Sequence, residues 1–191
     1  MAFLSPEALD EVAQNTGPDK RYLGLSKLPD GKACRIRILG EGITGFEAWT
    51  VNNKPLRWPV LPDELPANIK LDDNGCQSAK YFIAGIAWDY AEEMFRVLMV
   101  TQKGVLDSIN KHIRDEDYGD PSGYDFTITK TGSGLETKYS VMAKPPKPIA
   151  ASVKAAFQDL DWDLTKLYAG KAPWDEDTKG GAADTDDSDD D

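Results

Sequence analysis

The chain has 191 residues, a formal net charge of −11 and two cysteines, Cys34 and Cys76, far apart in the sequence. That length suits one domain with a sizeable core, the cysteine usage fits reduced thiols, and no apolar run approaches the ~18 residues a membrane-spanning helix needs. The opening MAFLSPEALDEVAQ lacks the basic start and apolar stretch of a signal peptide, so a cytoplasmic protein is expected.

Residues 1–30 read as an N-terminal arm. Ser5 is a plausible N-cap with Pro6 in the first turn, which predicts a short helix over 6–15 with Leu9 and Val12 inward. In KACRIRILG, Cys34, Ile36 and Ile38 alternate with Arg35 and Arg37, the period of a half-buried strand. GFEAWTV reads as another short strand inside a long excursion, 40–79. Residues 52–77 hold four prolines, four asparagines and an Asp-Asp-Asn-Gly turn signal, so they are expected to be mostly loop. KYFIAGIAWDY and MFRVLMVT, apolar on both faces and separated by AEE, predict a buried hairpin.

The period then changes. Val105, Leu106, Ile109, His112 and Ile113 fall on one helical stripe, with Thr101 available as a cap. YDFTITK and ETKYSVMAK alternate again around Thr131-Gly132-Ser133-Gly134-Leu135, which predicts a second hairpin. Beyond the prolines of 145–148, Ile149, Val153, Ala156, Phe157 and Leu160 form the apolar face of another helix, expected to cover the barrel together with DWDLTKLY.

This order predicts a mainly β domain over 31–173, an OB-fold: a five-stranded Greek-key barrel with a helix between its third and fourth strands and additional terminal helices. A five-stranded SH3-like barrel or an α+β sandwich fits the same string. From Trp174 to Asp191 there are nine acids and one base, a net of −8, which leaves −3 for residues 1–173. Lacking any large aliphatic residue, 174–191 is expected to be a disordered acidic tail. The overall charge therefore does not exclude a polyanionic partner for the body.

Metal and catalytic chemistry find no pattern. Cys34, Cys76 and His112 are the only soft ligands and lack the short paired spacings of zinc sites. An EF-hand loop begun at Asp115 would need glycine at its sixth position and glutamate at its twelfth, where Asp120 and Phe126 stand. No cofactor is expected and no enzyme.

AWTVNNKPLRWP, residues 48–59, is different: it carries Trp49, Trp58, Lys54 and Arg57 and no acid. Rings that stack on bases and cations along the backbone are the two devices that hold single-stranded nucleic acid. Further candidates on the barrel are Arg35 and Arg37, Lys80 and Arg96 near Trp88 and Tyr90, and Lys130 and Lys138 beside the Gly-Ser-Gly turn. The alternative is that the two tryptophans anchor a long loop. Residues 33–144 hold thirteen bases and sixteen acids, so binding needs the charges to be placed asymmetrically.

DEDYGDPSGYDFTITKTGSGLETKYSV, with GFEAWTVNNKPLRWP upstream and FRVLMVTQKGVLDSINKHI between, resembles the single-stranded DNA-binding proteins of tailed bacteriophages. The resemblance covers about residues 30–145 and extends to the acidic terminus. It implies an OB-fold that coats single-stranded DNA in replication, recombination and repair inside an infected bacterial cell. It also implies that the tail, including Asp184, Asp186, Asp187, Asp189, Asp190 and Asp191, docks replication proteins such as a polymerase, helicase or recombinase. Two features depart from the family: the zinc ligands some relatives carry are missing, and the last residue is Asp191 where certain tails end in an aromatic. An adaptor that binds protein, with the tail as a DNA mimic, and a carboxylate-dependent nuclease are the other classes the sequence leaves open.

Overall fold

A computed structural model describes residues 19–174; the helix expected over 6–15 and the acids of 175–191 lie outside the described residues. The strands are β1 (Tyr22–Gly24), β2 (Ala33–Trp49), β3 (Pro55–Trp58), β4 (Lys80–Asp89), β5 (Met94–Val100), β6 (Phe126–Thr131) and β7 (Lys138–Ala143). The helices are α1 (Lys103–Ile113), between β5 and β6, and α2 (Ala151–Gln158). The strands form one sheet in the order β1-β5-β4-β2-β6-β7, with β3 added to the far end of β2. All pairs are antiparallel except β1 with β5.

β2 organises the sheet. Ala33 to Ile36 pair with β6, Ile36 to Glu47 with β4, and Phe46 to Trp49 with β3. The sequence divides this stretch into two strands; the structure joins them into one strand of 17 residues, bent where the register shifts between Leu39 and Ile43. Gly40-Glu41-Gly42 reads as a strand end, but it makes a bulge, which bends a strand and increases its twist without ending it. Gly40 has φ 66°, and a Cβ there would lie 2.8 Å from the Phe157 ring of α2. The excursion is correspondingly shorter and not all loop, since β3 lies within it.

The sheet curls but does not close, because β7 pairs with β6 alone and β1 occupies the outer edge of β5. The result is a mainly β half-barrel. Part of the opening is crossed by the segment after β1, where Gly31 N–H donates to Lys130 O at 2.8 Å and Gly132 N–H to Asp30 at 2.8 Å.

Each face of the central strands has its own core, which explains why the β4–β5 hairpin is apolar on both sides. On the concave face Ile36, Ala87, Leu98 and Val100 pack with Phe126, Ile128 and the α1 residues Val105 and Ile109. On the other face Phe82, Ala84, Ile86 and Val97 are covered by the C-terminal segment through Phe157, Leu164, Leu167 and Trp174. Full burial of each large apolar side chain contributes roughly 1.5–3 kcal/mol. The cover is pinned at Thr44, whose carbonyl accepts from the Tyr168 hydroxyl at 2.6 Å. Trp174, the first tail residue by sequence, is buried against Tyr22 and Trp162 with the Arg21 guanidinium 3.8 Å from its ring centre. It belongs to the folded body.

Candidate nucleic-acid interface

The acid-free stretch folds as the β2–β3 hairpin. Its turn is closed by Thr50 N–H to Lys54 O at 2.9 Å and Lys54 N–H to Thr50 Oγ1 at 3.1 Å, with Asn53 at φ 59°. Asparagine tolerates the left-handed region better than most residues. The register sets Glu47 opposite Arg57 and Phe46 opposite Trp58. Period-two alternation then puts Trp49, Glu47 and Arg57 on one face. Glu47 accepts from Trp49 Nε1 at 3.1 Å and from Arg57 Nε at 2.8 Å. The indole is thus held by its nitrogen while 47% of the residue remains exposed.

The opposite face of the same strands carries an aromatic row. Trp58, Phe46 and Tyr81 occupy paired positions on β3, β2 and β4. Phe46 and Tyr81 meet edge to face at 5.5 Å between ring centres, and Tyr81 is 47% exposed. Lys80, beside Tyr81, is exposed and its side chain has no partner among the described residues. Two clefts meet at Lys80. One, of about 940 Å³, runs between β4 and α1 and is lined by Tyr81, Lys103, Ile113 and Arg114. The other, of about 240 Å³, is lined by Trp49, Lys70 and Leu71.

Lys54 and Lys138 are exposed, with no side-chain partner among the described residues. Lys70 donates to Asn53 Oδ1 within the finger formed by the hairpin and residues 68–71.

The remaining expected contacts are placed differently. Arg37 is fully buried: Nε donates to Asp125 Oδ1 at 2.6 Å, and Nη1 to Ser122 O at 2.8 Å and Lys147 O at 3.0 Å. The alternation that set it on the solvated side of β2 misses the segments 121–125 and 145–148, which cover that side. Arg96 is paired with Asp89 at 2.8 Å and donates to Tyr22 O, so it braces β1. Arg57 is committed to Glu47, Trp88 packs edge to face on Phe95, and Lys130 donates to Ser26 O at 2.7 Å. Tyr90 lies under the Arg35 guanidinium, 4.4 Å from its ring centre, and donates its hydroxyl to Asp125 at 2.8 Å. The expected sites therefore divide into two groups on opposite halves of β2, with Arg37, Arg96 and Trp88 in structural positions.

Two residues at these sites were missed by the sequence reading. Tyr81 is hidden in the apolar run of β4, although its place beside Lys80 at the strand start is a signal. Asp125 stands in GYDF as one acid among many. Burial would raise its pKa, but hydrogen bonds from Arg35, Tyr90 and Arg37 outweigh that and hold the carboxyl below its ordinary value. No group of three or more His, Cys, Asp or Glu able to hold a metal occurs among the described residues. Comparison with protein-family models, with curated proteins and with solved structures finds no match for this chain.

Proposed function

We propose that this protein binds and coats single-stranded DNA without strong sequence preference, in replication, recombination and repair, and that its curled sheet is an OB-type barrel. The reading is carried by one observation: two half-exposed rings, Trp49 and Tyr81, line two clefts that meet at Lys80, whose side chain has no partner among the described residues. Flat rings supply stacking that is indifferent to sequence, and the lysine supplies a phosphate contact between them. The half-barrel, with β2 shared between β4 and β6 and a helix before β6, supports the OB reading. In this account the acidic residues 184–191 compete for the same cations and, once displaced by DNA, recruit replication proteins. The protein acts as a binding module, not an enzyme.

The test is quenching of intrinsic fluorescence by an unstructured oligothymidylate, against duplex of equal length, at two salt concentrations. Trp49→Ala and Tyr81→Ala are each expected to weaken single-strand binding by roughly 1–3 kcal/mol with little loss of stability. Unchanged affinity in both folded variants would remove the proposal. The excess of acids over bases in residues 33–144 favours a second reading, a protein-binding adaptor. It predicts no quenching by either DNA.

A further inference from the structure

On the other half of β2 three cations converge on one carboxylate. Asp125 is 0% exposed; Oδ1 takes Arg37 and the Tyr90 hydroxyl, while Oδ2 takes Arg35 Nε at 2.8 Å and has Lys147 Nζ at 3.8 Å. The buried Arg37 accounts for the single negative charge of Asp125, so Arg35 and Lys147, with side chains 41% and 51% exposed, are left as surplus positive charge. Their donors are also unused. Arg35 directs Nε and Nη2 at Asp125 and leaves Nη1 without a partner among the described residues. At 3.8 Å, Lys147 makes an ion pair but no hydrogen bond, so its three N–H groups remain available.

The Arg35 guanidinium and the Lys147 backbone are held in place. Tyr90 supports the Arg35 guanidinium from beneath, and the Lys147 backbone is held by its carbonyl on Arg37 and its N–H on Gly123 O at 3.0 Å. Lys147 also lines a groove of about 670 Å³ that continues past Pro148, Ile149, Lys154 and Phe157. An anchored planar guanidinium beside an ammonium on a held backbone, next to an apolar groove, suits a phosphate ester whose organic part lies along the groove.

We propose that Arg35 and Lys147 form a phosphate-binding subsite, with Asp125 as its organising counter-charge, that holds a backbone phosphodiester of the bound strand. The assignment to a nucleic-acid strand rests on the function proposed above; the phosphate chemistry does not. Arg35 and Trp49 stand fourteen positions apart on β2, at most roughly 45 Å along an extended strand and less across the bulge at Gly40–Gly42. One strand engaging both would give the protein an extended footprint.

The test uses the full chain and follows the arginine Nε–H resonances by NMR during titration with sodium pyrophosphate and, separately, with oligothymidylate. The Arg35 signal is expected to move with both ligands, and that of Arg57 to stay still with pyrophosphate. Lys147→Ala keeps the backbone carbonyl that Arg37 uses; it is expected to weaken oligothymidylate binding several-fold and to reduce the slope of log K against log salt by about 0.7. Lys171→Ala is the control for general charge. Arg35→Lys keeps the charge without the fork and is expected to lose part of the affinity. An Arg35 signal silent to both ligands, while Trp49 fluorescence is quenched by oligothymidylate, overturns the subsite and leaves DNA binding standing. A response to pyrophosphate without any binding of oligothymidylate keeps the phosphate subsite and removes its assignment to a strand.

Discussion

Gly45 of β2 lies directly against the backbone of Trp58 in β3: a Cβ on Gly45 would fall 2.3 Å from the Trp58 carbonyl oxygen and 3.1 Å from the Phe82 ring. The obstacle on one side is main chain, which cannot rotate away as a side chain can. Only glycine allows β3 to pair this closely beside the Phe46 register.

Gly45→Ala is therefore expected to destabilise the fold by about 1–3 kcal/mol, the usual cost of overpacking. It should also displace β3, and with it Trp58. Urea denaturation and the cross-strand NOEs between Phe46 and Trp58 check both outcomes. An intact β3 at unchanged stability would contradict the close approach.

Glu47 connects the fold to the exposed ring. Truncation to alanine leaves Arg57, 11% exposed at its side chain, without its carboxylate and Trp49 without its acceptor. The expected cost is about 1–3 kcal/mol for the uncompensated polar groups, with a freer indole whose fluorescence anisotropy falls. Glu47→Gln keeps the size of the side chain and one acceptor oxygen, while its amide NH2 faces the other donor, and it is expected to cost less than alanine. Equal losses in the two variants would mean that the paired carboxylate, and not the packing that glutamine retains, accounts for Glu47.

The periodicity of the sequence locates the β4–β5 and β6–β7 hairpins and both helices, whereas β3 of the acid-free hairpin lies in a stretch read as mostly loop. It fails where a signal depends on what covers a strand. Arg35 and Arg37 alternate with apolar residues as a solvated face does, yet the chain returns at 121–125 and 145–148 and buries Arg37 under backbone carbonyls. Gly40 and Gly42 punctuate a strand that continues through them, because a bulge and a strand end use the same residue. Trp174 belongs to the folded body because Arg21, Tyr22 and Trp162 receive its ring, contacts between chain ends that no local window contains.

Asp125 gives the acid stability a defined sign. Its folded pKa lies below the ordinary 3.8, with burial raising it and the hydrogen bonds of Arg35, Tyr90 and Arg37 prevailing. The unfolded state then binds the proton more readily than the folded state. The contribution is complete above the ordinary value and is lost as pH falls through the lowered one. Urea midpoints taken from about pH 7 to about pH 3 should hold level for this group and then drop at the acid end. Asp125→Asn removes the charge opposite a buried arginine and is expected to destabilise by about 3–5 kcal/mol. Its acid drop should be shallower than that of the wild type. Parallel curves for the two proteins would show that Asp125 does not set the acid limit.

The tail proposal requires a cut that removes charge without removing structure. A chain ending at Pro173 would lose Trp174, 4% exposed and stacked between Tyr22, Trp162 and Arg21, so a change in binding would be confounded with a change in the C-terminal cover. A chain ending at Trp174 keeps that ring and removes eight net negative charges. A tethered polyanion competes at an effective concentration set by its tether, and charge–charge competition is screened by salt. Truncation after Trp174 is therefore expected to tighten oligothymidylate binding several-fold at low salt, with the advantage shrinking as salt is raised. The Lys80→Ala variant should show a smaller gain from the same truncation, because one of the cations under competition is gone. Identical affinities for full-length and truncated chains across the salt range would count against competition and leave recruitment as the tail's remaining role.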